Sequence, residues 1–165
     1  MNLGSTRMRM EDKPPDGPGI IAPPPLIYFG MLALGVLIER VFPLDFLPDG
    51  VTSILGGVLV AVGVGIVFFA IRAMRRAGTP VDPYKPTTAL VIDGPFRFTR
   101  NPLYLSLTLV YLGITSLMNA FWPLMLLPTA LVIMQRGVIV REERYLESKF
   151  GEEYLRYKAK VRRWL

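Results

Sequence analysis

"PLYLSLTLVYLGITSLMNAFWPLMLLPTALVIMQ", residues 102–135, runs for 34 residues without a formal charge. As one straight helix it would be about 51 Å long at ~1.5 Å per residue, whereas the hydrocarbon core of a bilayer is about 30 Å thick. The chain is therefore predicted to turn back inside the stretch. "SLMNAFWP", residues 116–123, is the natural place. Asn119 is a polar break, Trp122 suits a membrane interface and Pro123 suits a helix start. The pattern predicts a tight hairpin with arms over residues 103–118 and 120–140. Pro128 is expected to kink the second arm, and Arg136 falls in its last turns, where a long cationic side chain can snorkel.

Two further apolar runs flank this one. Residues 17–38 and 51–71 carry no charge, and each is long enough to span a bilayer, which takes about 20 apolar residues. The first opens on "APPPL", where proline is tolerated in a first helical turn, and closes at Glu39 and Arg40. No signal peptide is expected, since an acidic, Pro-rich stretch precedes the first run. Gly57, Ala61 and Gly65 recur every four residues on the second run and read as a close helix-packing face. The fold class is thus an all-α integral membrane protein. About four transmembrane helices are expected, the last two a tight hairpin, followed by short cytosolic C-terminal helices.

Charge sets the orientation. Of the 19 Lys and Arg residues, three lie before the first run, one between the first two, six in residues 72–100 and nine after residue 135. The turn of the hairpin has none. By the excess of positive charge on cytoplasmic loops, both termini and the central loop are predicted cytosolic. The net charge of +6 is then membrane-flanking charge, which argues against a nucleic-acid partner. The organisation reads as a cytosolic tail (1–19), two helices and a loop (20–89), and a core carrying the polar motifs (90–165).

The chain has no cysteine and no histidine. Disulfides and thiolate metal sites are excluded, and so is the commonest general base. Chemistry must come from carboxylates, Tyr, Asn, Lys, Arg or backbone groups. Such groups crowd into two places, "GPFRFTRNPLYLS" (94–106) and "REERYLESKFGEEYLRYKAKVRRWL" (141–165). A hairpin returns the chain to the side it left, so both segments should meet at one membrane face. The second reads as two short helices divided at Gly151, a helix C-cap residue, with Leu146, Phe150, Tyr154, Tyr157 and Val161 along their packed side. The terminal "VRRWL" reads as an interfacial anchor, with Trp164 and Leu165 in lipid and Arg162 and Arg163 toward phosphates.

Together these two segments resemble the C-terminal half of the isoprenylcysteine carboxyl methyltransferase and phospholipid methyltransferase superfamily. The family pattern is a Gly-Pro-aromatic-Arg run, then Arg-His-Pro-x-Tyr-x-Gly, a hairpin, a Glu-Glu pair and a Phe-Gly-x-x-Tyr ending. The resemblance covers residues 90–165. It departs at Asn101, where the family usually has His, and at Ser106, where it usually has Gly. It implies S-adenosylmethionine as methyl donor at the cytosolic face and a lipophilic small molecule or lipid as acceptor, entering from the bilayer. The resemblance is to a short bacterial member, and the absence of eukaryotic targeting signals points to a bacterial inner membrane.

Carried onto this chain, the resemblance implies Arg100 and Glu143 as catalytic residues. Cofactor contacts would come from Arg97, Asn101, Pro102, Tyr104, Leu105, Arg136, Glu142 and Glu143. Each has a plain structural reading as well. Asn101-Pro102 is an ordinary helix start, Arg97 and Arg100 fit positive-inside charge, Tyr104 fits an interfacial aromatic, and Glu142 and Glu143 fit a solvated helix. Methyl transfer from a sulfonium is an in-line displacement that needs positioning more than acid–base catalysis. The absence of histidine therefore tilts the acceptor toward a carboxylate, already ionised at pH 7, rather than an amine. Two other readings stay open at this point. One is a non-catalytic four-helix scaffold or binding module, the other a reductase-like nicotinamide-binding protein, though no glycine-rich dinucleotide fingerprint is present.

Overall fold

The structure, a computed structural model, describes residues 17–82 and 84–165. The first 16 residues, with most of the expected cytosolic tail, lie outside the described set. All regular structure among the described residues is helical: α1 (Pro24–Val41), α2 (Asp49–Arg76), a 3-10 turn (Gly94–Arg97), α3 (Pro102–Leu117), α4 (Phe121–Met134), a π-helical segment (Gln135–Ile139), α5 (Val140–Phe150) and α6 (Glu152–Lys160). α4, the π segment and α5 form one continuous 30-residue helix, Phe121–Phe150. This helix, α1 and residues 50–76 of α2 are long and apolar enough to cross a membrane. The 16-residue apolar α3 is shorter, at about 24 Å. The chain is an integral membrane protein.

The expected turn is where hydrocarbon thickness requires it. Asn119 sits at φ 47°, a left-handed conformation that Asn tolerates better than most residues. Its side chain does more than break the helix. Oδ1 accepts from the N–H groups of Phe46 and Leu47 at 3.2 Å each, and Nδ2 donates to Leu47 O at 2.9 Å. The hairpin turn is thereby tied to the α1–α2 loop. Glu39 adds a second tie, because its Oε2 accepts from Trp122 N at 3.1 Å and so satisfies an orphan donor in the first turn of α4. Trp122 Nε1 donates to Phe42 O at 2.7 Å. The second arm runs to Phe150 rather than 140, and helix continues through Pro128. The interruption comes seven residues later, as the π segment. α6 stops at Lys160, leaving Val161 in extended backbone.

α2 packs along α3 and α1 along α4, but not through the glycines expected. A Cβ on Gly57 or Gly65 would meet nothing within 4 Å. The buried small residues of α2 are instead Gly56, Gly63 and Ala70, seven apart. A Cβ on Gly56 would lie 2.8 Å from Gly113 O, and one on Gly113 would lie 2.9 Å from Gly56 O. The two backbones approach through paired glycines, the small-residue contact of membrane helices. Ser106 joins the same interface: it is buried, and its carbonyl would lie 3.0 Å from a Cβ on Gly63.

Two outcomes check this arrangement. Gly56→Leu should lower the thermal unfolding temperature in detergent markedly, while Gly57→Leu should leave it unchanged. Asn119→Ala removes three hydrogen bonds at about 0.5–1.5 kcal/mol each and should cost about 2–3 kcal/mol in reversible unfolding.

Candidate functional site

At the end of the bundle opposite Asn119, three segments converge: the 3-10 turn and start of α3, the α5–α6 region, and the extended tail 161–165. The tail is held by backbone. Arg100 N donates to Arg162 O at 2.9 Å, and Arg163 O accepts from Thr99 Oγ1 at 3.1 Å and from Asn101 Nδ2 at 2.8 Å. Asn101 does occupy the residue before α3, but its side chain makes no capping bond. The amide points to the tail instead.

This tether places Arg163 inward. Its Nε and Nη2 meet Glu143 Oε1 and Oε2 at 2.9 and 2.6 Å, a two-pronged pairing that suits a planar guanidinium. Arg100 Nη1 reaches Glu143 Oε1 from the other side at 3.1 Å. The Arg100 and Glu143 side chains are each only 9 % exposed. One carboxylate thus faces two guanidiniums, leaving one positive charge in excess. Arg100 Nη1 also donates to Tyr154 Oη at 3.4 Å, while Arg100 Nε is buried without a partner. Burial pushes the Tyr154 phenol up to about 12, with the Glu143 charge adding and Arg100 opposing, so it stays protonated at neutral pH. Tyr157, its neighbour, donates to Phe96 O at 2.7 Å. Glu142 stands apart from this cluster and accepts from Tyr104 Oη at 2.8 Å.

A recess opens over these groups. Arg100, Asn101, Pro102, Tyr104, Glu142, Glu143, Tyr154 and Tyr157 line it, together with Met74, Thr79, Thr87, Ala89, Leu90 and Val91. The cavity measures about 90 Å³. Of the residues singled out from sequence, six meet here: Arg100, Asn101, Pro102, Tyr104, Glu142 and Glu143.

Three do not line the recess. Arg97 is a surface residue paired with Asp93 at 3.3 Å, one turn back. Leu105 lies one position past Tyr104, about 100° around α3, so its side chain leaves the recess. Arg136 lines a second cavity with Thr108, Leu131, Val132, Gln135 and Trp164. It is about 10 Å along its helix from Glu143. The reading of "VRRWL" as an interfacial anchor is corrected for two residues, since Arg163 turns into the cluster and Trp164 packs against the hydrophobic core, while Arg162 and Leu165 stay exposed. Arg163 and the Met74–Val91 wall had no local signal in the sequence. The Tyr154 and Tyr157 positions were visible there as a packed helix side.

The recess sets buried arginine and carboxylate groups at one end of a membrane bundle. The phospholipid methyltransferase family model matches residues 51–153, and the chain belongs to that family. The match spans α2 to the start of α6, the elements that enclose the recess. A protein of Haemophilus influenzae, described as "Uncharacterized protein", is 46% identical over 63 residues, which is 38% of this chain and 100% of that protein. No solved structure matches significantly. Family membership implies methyltransferase activity.

The charge balance gives a direct expectation. Glu143→Gln leaves two guanidiniums facing each other, and removing one partner of a buried ion pair costs several kcal/mol. Solvent at Arg163 lowers the expected loss to about 2–4 kcal/mol. Arg97→Gln, at the exposed pair, should cost nothing measurable. Equal unfolding temperatures for the two variants would contradict the cluster.

Proposed function

We propose that this chain is an integral membrane S-adenosylmethionine-dependent methyltransferase acting on an isoprenoid or lipid-like acceptor. In this reading it has four spans, with α3 as the short one, and sits in a bacterial inner membrane. Both termini and the central loop are cytosolic, which puts the recess at the cytosolic face. Residues 90–165 carry most cofactor contacts, and the N-terminal half shapes the acceptor side.

The observation that carries the reading is the convergence of Arg100 with two glutamates, Glu142 and Glu143, on one recess. A ligand that complements it brings an anion for Arg100 together with cationic or hydroxyl groups for the carboxylates. S-adenosylmethionine has this set: a carboxylate, an ammonium, a sulfonium and ribose hydroxyls. When bound, the cofactor supplies a methyl group activated on sulfur.

The chain's own residues then act by position. Arg100 holds the carboxylate end and is kept straight by Glu143 and Tyr154. Glu142, steadied by Tyr104, faces positive charge. Asn101 and Thr99 hold the tail that closes one wall. The apolar wall from Leu90, Val91 and Leu103 excludes water, which strengthens these charged contacts and fixes the approach of the acceptor.

Calorimetric titration in detergent tests the reading. S-adenosylmethionine should bind, and NADPH should not. Arg100→Ala and Glu142→Gln should each weaken binding about ten-fold or more, the effect of one lost charged hydrogen bond. Asn101→His should retain binding, because an imidazole N–H can replace the amide bond to Arg163 O. Absence of S-adenosylmethionine binding by the folded wild type would overturn the proposal.

A further inference from the structure

Four residues that line the recess, Thr87, Ala89, Leu90 and Val91, belong to no helix. Backbone without helical hydrogen bonds needs other partners, or it samples several positions. Residues 87–91 have a clip at one end. Thr88 N and Ala89 N donate to Thr79 Oγ1 at 2.9 and 3.2 Å, and Thr88 Oγ1 donates to Gly78 O at 2.8 Å. Gly78, at φ 69°, supplies the left-handed turn that brings the two strands of the clip together.

That clip reaches only the residues just after α2. Among the described residues, one hydrogen bond ties the segment to another part of the bundle: Thr87 N donates to Tyr145 Oη at 3.2 Å. Tyr145 is only 3 % exposed, yet it does not line the recess itself. Its position on α5 is well held. Lys149 Nζ, one turn on, donates to the same Oη at 3.0 Å, and Ser148 Oγ donates to the Tyr145 carbonyl at 2.9 Å. The same helix carries Glu142, Glu143 and Leu146, which do line the recess. The phenol therefore joins two lining segments, the helix with the carboxylates and the apolar stretch that holds Leu90 and Val91.

We infer that Tyr145 is a positioning residue of the recess, whose hydroxyl holds residues 87–91 against α5 and so fixes the shape in which Glu142, Leu90 and Val91 meet a ligand. For the identity of the ligand this rests on the methyl-donor reading; for the contact it does not. A single hydrogen bond contributes little to global stability. A small displacement of a binding wall costs much more in function, since positioning is sensitive to shifts of about 1 Å. Loss of the Tyr145 hydroxyl should thus be felt at the recess far more than in the fold.

The chain has no cysteine, and Val91 is buried at the recess, so Val91→Cys gives one thiol that reports on the segment. In detergent without ligand, adding Tyr145→Phe should speed maleimide labelling of that thiol about five-fold or more. Adding Ser148→Ala, which removes the bond to the carbonyl of the same tyrosine, should leave the rate unchanged. In the cysteine-free chain, Tyr145→Phe should weaken S-adenosylmethionine binding about three- to ten-fold, with an unfolding temperature close to wild type. An unchanged labelling rate in Tyr145→Phe, or an equal acceleration in Ser148→Ala, would overturn the contact. Faster labelling with unaltered affinity would overturn the positioning role. If the folded wild type does not bind S-adenosylmethionine, the methyl-donor reading falls alone, because the labelling rates are measured without it.

Discussion

The structure depends on Glu143 being held between two arginines from distant parts of the chain. Arg100 comes from the turn before α3 and Arg163 from the last residues. A lone carboxylate buried at a membrane edge would be strongly destabilising, and so would either guanidinium alone. Joined, they lock the start of the hairpin, its return arm and the tail into one unit. The lock leaves one buried N–H of Arg100 without a partner.

The other end of the bundle shows how little polar chemistry the membrane interior allows. Asn119 and Glu39 bind the two loops there through backbone N–H groups. Between the ends, helix pairing relies on glycine. Gly56 and Gly113 let α2 and α3 approach until each backbone nears the other's carbonyl. Shape alone fixes that register, because lipid offers no hydrophobic drive for helices to associate. The recess and the cavity beside Arg136 are open spaces within this frame.

Much of this was legible in the sequence. The 34 uncharged residues had to fold back because the bilayer is thin, and Asn119 was the only polar break near their middle. The meeting of Arg100 with Glu143 followed from that bend. Other features were hidden because they are set by tertiary contacts. The stripe on α2 could be drawn through Gly57 and Gly65 or through Gly56 and Gly63, and only the partner α3 decides. Asn101 reads as a cap until the tail is seen taking its amide. Arg163 is one of nine basic residues after residue 135, and nothing local marks it as the one that turns inward. Arg136 was grouped with the cofactor residues from its neighbourhood in sequence, but its place on the long helix sets it toward a separate cavity.

The central claim is that the hairpin brings Arg100 and Glu143 into one buried contact. A double-mutant cycle on unfolding free energy, with Arg100→Gln, Glu143→Gln and the pair together, measures it directly. Residues in contact couple by about 0.5–3 kcal/mol, and the account predicts a value of at least about 1 kcal/mol. A coupling energy of zero would mean that the two segments do not meet, and the shared recess would not exist.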